Sequence, residues 1–535
     1  MAKSINIYKS ISDYNDGYDE RKNISLSLII DDEDEIVDSH VKSGFVTFTA
    51  EEAGSTIGLA KLSTYQLLEY TTDQVVNPSA MCYPVWKKMD VNTVITFVNA
   101  GDMVHFRGVL SGDNTTSNNY TQFKMTGKIS SSGNCNALWN YSDLDAPLKI
   151  YCGYNMFQGC TSLTQAPELP ATTLADDCYD HMFSGCTSLT TAPELPATTL
   201  ASDCYYYMFS GCTSLTQAPE LPATTLAVRC YCNMFYGCTS LTTAPELIAT
   251  TLASYCYYGM FQNCTSLTTA PELPATTLAV RCYYSMFSGC NSLTQAPELP
   301  ATTLAERCYY SMFSGCNSLT QAPELPATTL ANGCYSSMFN GCTSLTQAPE
   351  LHATTLADSC CYSMFSGCNS LTQAPALPST TLSYKCYTYM FQGCTSLKTA
   401  PELPATTLAE YCYSDMFLGC TSLTQAPELP ATTLAEYCYS DMFSGCTSLT
   451  TAPELPATTL VDYCYSFMFY KCSNLNYIKC LATDRSATSC TVNWVYGVSS
   501  TGTFVKVKDV SWTTGSGGIP TGWEAIEEDI EVVEK

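Results

Sequence analysis

The sequence predicts a mixed α/β repeat protein: a solenoid of short coils, each a short strand plus a short helix, preceded by a small antiparallel β-sandwich. Three observations predict it. Thirteen cysteines recur every 26 residues from Cys160 to Cys472, and a second thirteen keep the same step from Cys152 to Cys464. Within each period the same apolar positions return in register. Ahead of the array, residues 45–130 alternate apolar and polar side chains between Gly, Asn and Asp turns (FVTFTA, LLEYTT, TVITFVNAGDMVHFRG), the texture of a small antiparallel β domain.

Residues 160–471 hold twelve copies of a 26-residue unit, of which CTSLTTAPELPATTLASDCYYYMFSG (Cys186 to Gly211) is representative. That period falls in the range of leucine-rich solenoids, whose coils stack to share one continuous core. The stretch SLTQAPEL, for example Ser214 to Leu221, reads as the strand, with Leu215, Ala218 and Leu221 facing inward. Pro219 lacks a backbone donor and keeps that strand short. At a strand spacing of about 4.7–4.9 Å, twelve coils would make a rod or shallow arc about 60 Å long.

The return segment reads as a helix. The second Thr of PATTLA (Thr173, Thr303, Thr407, Thr433) is placed to cap it, and an acidic residue often follows three positions on (Asp176, Glu306, Glu410, Glu436). Gly185, Gly211, Gly237 and Gly289, with Asn263 in one copy, would end it in a left-handed residue. Between them Cys204, Tyr205, Met208 and Phe209 form an apolar stripe at i and i+4.

Of the 535 residues 32 are cysteine, 4 are histidine and 13% are charged, with a formal net charge of -26. Low charge with 46% hydrophobic residues argues against a disordered chain. The acidic balance argues against nucleic acid, whose binding needs Lys and Arg to displace counterions. Cysteines of the two series lie eight apart, with Met182 and Phe183 between Cys178 and Cys186, which is not the spacing of a zinc site. Stacked buried thiols are the expectation, without metal or cofactor.

The pattern CxSLTxAPELPATTLAxxCYxxMFxGC, over 312 of 535 residues, resembles the BspA-like class of bacterial surface leucine-rich repeats. The resemblance implies a right-handed solenoid used for attachment to host molecules, matrix or other cells. The closing segment, which begins LNYIKCLATDRSATSC, resembles the terminal module of such arrays in gut Bacteroidales and their phages, and residues 45–130 resemble the immunoglobulin-like module found before them. The expected organisation is an acidic arm or attachment segment (1–44) with one short strand at Ile24 to Ile30, the Ig-like sandwich (45–130), an N-terminal cap (131–159), twelve repeats (160–471), a closing module (472–523) and an acidic tail (524–535). The amino terminus shows no unbroken apolar run of about 7–15 residues such as export needs. No run of about 18 apolar residues suits a membrane span. These features lead us to expect a protein of a phage particle released by lysis.

Three sets of residues are candidates for chemistry. A glutamate recurs in every coil but one, which has Ala376, and Glu220, Glu246, Glu272, Glu298 and Glu324 form a weak calcium candidate; the clustered Asp and Gly of a calcium loop are missing, which favours a solvated acidic edge. Variation among the copies concentrates at the two residues before the second Cys, the two after its Tyr and the one before the closing Gly. On a helix these would share the outward face. The ridge they predict contains Tyr206, Tyr207, Arg229, Asn233, Tyr236, Tyr255, Tyr258, Arg281, Tyr284, Arg307 and Tyr310, a mixture suited to binding because Tyr gives large contact area at low entropy cost. Variation of this kind also arises on an unconstrained solvent face. Catalysis finds little: His40, His105, His181 and His352 occur singly, and the repeated Thr pairs such as Thr172 and Thr173 have no base nearby in sequence.

The expected function is therefore non-enzymatic: a virion fibre or decoration protein whose solenoid binds a bacterial surface glycan or protein, held to other virion proteins by its N-terminal region, with no nucleic acid and no membrane insertion. A bacterial surface or secreted adhesin and a structural virion spacer are the alternatives.

Overall fold

A computed structural model describes residues 44–73, 84–111 and 118–529, together with two paired two-residue strands, β1 (Asn6–Ile7) and β2 (Leu26–Ser27). β2 falls within the strand expected over Ile24 to Ile30. The rest of the acidic arm up to residue 43, the end of the tail, and Cys82 and His40 lie outside the described residues.

The N-terminal domain contributes β3 (Val46–Ala50), β4 (Thr56–Lys61), β5 (Gln66–Thr71), β6 (Lys87–Lys88), β7 (Val94–Thr96), β8 (Met103–Leu110), β9 (Gln122–Thr126) and β10 (Ile129–Ser132). With β11 (Leu163–Gln165) they form two sheets, ordered β11-β10-β3-β8-β5-β6 and β7-β4-β9. The alternation read in the sequence is the burial pattern of β3, where Val46, Phe48 and Ala50 point inward. Phe48, Phe106 and Phe123 meet at the core with ring centroids 5.3–5.6 Å apart.

The first sheet runs directly into the solenoid, because β11 (Leu163–Gln165) belongs to the first coil and pairs in parallel with β10. Phe123 stacks on Phe157 at 5.2 Å, and the Cys160 thiol donates to the Phe123 carbonyl at 3.3 Å. Cys186 makes the same bond to Phe157 one coil further on. Phe123 thus occupies the place of a preceding coil's phenylalanine.

Inside the array, Leu215 and Leu221 are buried and Ala218 partly so, as the pattern requires. The strand shrinks to isolated parallel bridges such as Gln217 to Thr243 and Leu221 to Leu247. Phenylalanines stack face to face from Phe157 to Phe469 at 5.5–5.8 Å, with planes within 8°. Beside them a tyrosine ladder runs from Tyr179 to Tyr335 at 5.7–6.0 Å. It is broken at Cys361 and resumes at Tyr387.

The return segment corrects the expectation of a helix. Among the described residues the only helical element is a 3-10 turn at Cys135–Leu138. Amides alternate between two kinds of acceptor. Tyr206, Met208 and Ser210 donate to carbonyls three residues back, in Asp203, Tyr205 and Tyr207, whereas Asp203, Tyr207, Phe209 and Gly211 donate to the next coil, in Val228, Cys232, Met234 and Tyr236, at 2.7–3.0 Å. A helix would spend every amide within the coil. Turning every second amide sideways requires left-handed residues, and Asp203 (φ 59°), Tyr207 (φ 51°) and Gly211 (φ 71°) supply them. Such residues cost about 1–2 kcal/mol each for non-glycine side chains; lateral hydrogen bonds and continuous ring stacks offset that cost. The capping and glycine signals marked the ends of the segment correctly, but they serve stacked turns.

Every cysteine among the described residues is a buried, unpaired thiol. The array closes in a parallel sheet, β12 (Tyr477–Cys480), β13 (Thr503–Val507) and β14 (Glu524–Glu528). Trp494 stacks on Tyr465 at 6.3 Å and on Trp512 at 5.7 Å, with the Arg485 guanidinium 3.9 Å above the Trp512 ring. Among the described residues no helix is long and apolar enough to cross a membrane.

Candidate binding groove

Each repeat turns its second-series cysteine and the residue after it, a tyrosine everywhere but at Cys361, into the core, so the residues on either side of that pair are left outside. Arg229, Tyr255, Arg281 and Arg307 precede the cysteine and are all left-handed (φ 51–62°). Tyr206, Tyr258, Tyr284 and Tyr310 follow the buried tyrosine and are half-buried. The sequence expectation that these positions share one face therefore holds, although a turn ladder and not a helix brings them together.

They converge on a shallow groove of about 430 Å³ across five successive coils. Of the predicted ridge, all but Tyr236 and Tyr310 line it. Tyr310 stacks on Tyr284 at 4.5 Å, Tyr284 on Tyr258 at 4.6 Å, and Tyr236 lies 6.4 Å from Tyr207. Cys232, at one of the variable positions read in the sequence, also lines the groove; it holds the place that Tyr206 and Tyr258 hold in neighbouring coils, and it accepts a hydrogen bond from Asn233 at 3.3 Å. Burial pushes its thiol up to about 12. Burial, with Tyr310 and Tyr258 beside it, pushes the Tyr284 phenol up to about 12 as well, so it stays a hydrogen-bond donor.

The guanidiniums differ in their partners. Arg229 pairs with Asp203 through two contacts at 2.9 and 3.1 Å. Arg281 donates to the Tyr255 hydroxyl and lies over that ring, 5.3 Å from its centroid. Its Nε is buried without a hydrogen-bond partner. Glu306 stands 3.9 Å from Arg281 and 3.8 Å from Arg307, beyond hydrogen-bond reach.

The other candidates stay apart from the groove. Glu220, Glu246, Glu272, Glu298 and Glu324 are all exposed, and among the described residues no group of three or more His, Cys, Asp or Glu side chains could hold a metal ion. Lys479 terminates the glutamate row, bridging Glu454 at 3.4 Å and Glu528 at 2.8 Å. His105 is buried against Thr47, His181 pairs with Asp180, and His352 is exposed 3.9 Å from Glu350. A further tyrosine stack, Tyr411, Tyr437 and Tyr463 at 4.4–4.5 Å, continues the position of Arg229 nearer the C-terminus. Reading every copy at that one position would have found it.

Comparison with known families gives one result. A model of the BspA type leucine-rich repeat region, six copies long, matches residues 134–267, 203–346, 250–398, 307–441 and 385–491, which together span more than half of the chain. No curated protein matches the chain.

Proposed function

Because the chain belongs to the BspA-type leucine-rich repeat family, a family of surface and adhesion-type proteins, we propose that it is a non-enzymatic binding protein whose groove engages a glycan or protein on a bacterial surface. The observation that carries this reading is the groove itself: side chains that differ between otherwise near-identical coils gather there from five coils in a row. Concave, tyrosine-rich surfaces on rigid repeats suit recognition, since little is ordered on contact. We further place the protein on a phage particle, with its N-terminal region toward other virion proteins; the resemblance of its closing segment to modules of gut phages supports this, and co-purification with particles tests it.

Binding is tested with fluorescently labelled protein on bacterial cells from the native community. A variant lacking residues 229–306, a block of three whole units that leaves the coil register intact, should stack as before by circular dichroism and lose cell binding. Full binding by that variant would refute the groove as the contact surface.

A further inference from the structure

We infer that the groove takes an acidic polysaccharide, a ligand class that deepens the binding role proposed above and rests on it. The chain carries a formal charge of -26, yet the only arginines in the twelve repeats, Arg229, Arg281 and Arg307, all stand in this one groove. Three guanidiniums stand together on so acidic a molecule; Asp203 already holds Arg229 by two contacts, so Arg281 and Arg307 chiefly focus a local positive field where approach is otherwise repulsive to anions. Arg229 and Arg307 are about half exposed, at 50% and 45%, and Arg281 is 27% exposed. Glu306 is too far to saturate either Arg281 or Arg307. The planar fork of a guanidinium matches a carboxylate or sulfate bidentately.

The rest of the lining selects a sugar chain over an acidic peptide. Guanidinium, phenol, amide and thiol groups line the groove, and no aliphatic side chain does, so it offers no apolar pocket for a peptide's anchoring residue. Protonated phenols such as Tyr284 present hydroxyls in a row, one per coil, along the stack from Tyr258 to Tyr310. A polymer with many hydroxyls and regularly spaced anionic groups complements such a row. It would lie along the solenoid axis, crossing coils as the arginines do.

The test measures binding of the full chain to polygalacturonate, dextran sulfate, unmodified dextran and duplex DNA at low and at high salt. We expect at least one acidic polysaccharide to bind, more than tenfold more weakly at high salt, and the carboxylated and sulfated polymers to show which anion is preferred. The triple variant Arg229→Gln, Arg281→Gln, Arg307→Gln should lose more than tenfold. A control removing three lysines elsewhere in the array, Lys385→Gln, Lys398→Gln and Lys471→Gln, should bind as the parent does and shows that local charge decides. Equal loss in both variants, or DNA binding as tight as the polysaccharide, would overturn the inference in favour of non-specific polyanion attraction. Tight binding of unmodified dextran that the 229–306 deletion abolishes would keep the groove as a binding site and refute the anionic ligand. Cell binding that survives the deletion would remove both.

Discussion

The thiol of Cys316 donates a hydrogen bond to the carbonyl of Phe287 at 3.1 Å, reaching back to the preceding coil. The same bond recurs from Cys186 to Phe157 through Cys472 to Phe443, at 3.0–3.1 Å throughout. The cysteine row is therefore a row of donors that adds a second hydrogen bond to one buried carbonyl per coil, which already accepts the amide three residues on. Because the Phe287 carbonyl also accepts the Cys290 amide at 3.0 Å, Cys316→Val fills the space but removes one of two bonds and should cost about 0.5–1.5 kcal/mol, the net worth of one hydrogen bond. Cys316→Ser retains a donor and should cost less, as read by guanidinium denaturation. The reverse order would mean that volume and not the hydrogen bond selects cysteine.

Thiol chemistry follows from the same burial. Cys186, Cys212 and Cys264 are held well above the ordinary thiol range by desolvation. A thiol is reactive only as its thiolate. In a Cys82→Ser variant, native protein at pH 8 should react with almost no Ellman reagent over minutes, and denatured protein should react at all remaining cysteines. Rapid labelling of several thiols in the native protein would contradict a continuous sealed core.

Two stacked carboxylates should make stability depend on pH. Burial, followed by the neighbouring Asp441, raises Asp415 to about 6 against the opposing hydrogen bond from Ser414, and burial raises Asp441 too. The folded state thus holds these protons more tightly than the unfolded chain does. The Asp415 contribution is fully present below about pH 4 and is lost as pH rises through about 6, and that of Asp441 has the same sign. Asp415→Asn should flatten that slope and stabilise the protein at pH 7 by about 1 kcal/mol in urea titrations at pH 4.5 and 7. An unchanged slope would place both carboxylates in water.

At Cys361 the inner tyrosine ladder is interrupted between Tyr335 and Tyr387, although the backbone keeps the usual bond from Cys361 to the Cys386 carbonyl. Cys361→Tyr should restore the stack on both sides. Aromatic pairs contribute about 0.5–1.5 kcal/mol each, so a gain of about 1–2 kcal/mol in denaturant titration is expected. Destabilisation would show that neighbouring coils have closed over the gap.

Much of this was legible in the sequence because it is periodic. Leu215, Leu221, Met208 and Phe209 declared themselves inward by returning every 26 residues, and stacking allows no other placement. The helix was misread because Cys204, Tyr205, Met208 and Phe209 satisfy an i, i+4 stripe and also a turn ladder; only the lateral amides, such as Phe209 to Met234, separate the two, and a sequence shows no lateral partner. Arg229 and Arg281 were found by their variability, while their left-handed backbone was not. Nor could spacing reveal that Phe123, 34 residues before Phe157, takes part in the phenylalanine stack, since the β domain interposes its own chain path.

Identical rungs also bear on how such a gene changes length. Each coil bonds only to its neighbours, by the same contacts whichever copy it is, so whole units can be duplicated or excised by unequal recombination without any new interface having to arise. Only the terminal partners, Phe123 at one end and Trp494 at the other, must be unlike the rest. The groove is the exception, because Asp203, Arg229, Tyr255, Arg281 and Arg307 hold one repeat position in a particular order across successive coils. Exchange within those coils would scramble it, so the middle of the array should be frozen in lineage comparisons while copy number drifts on either side.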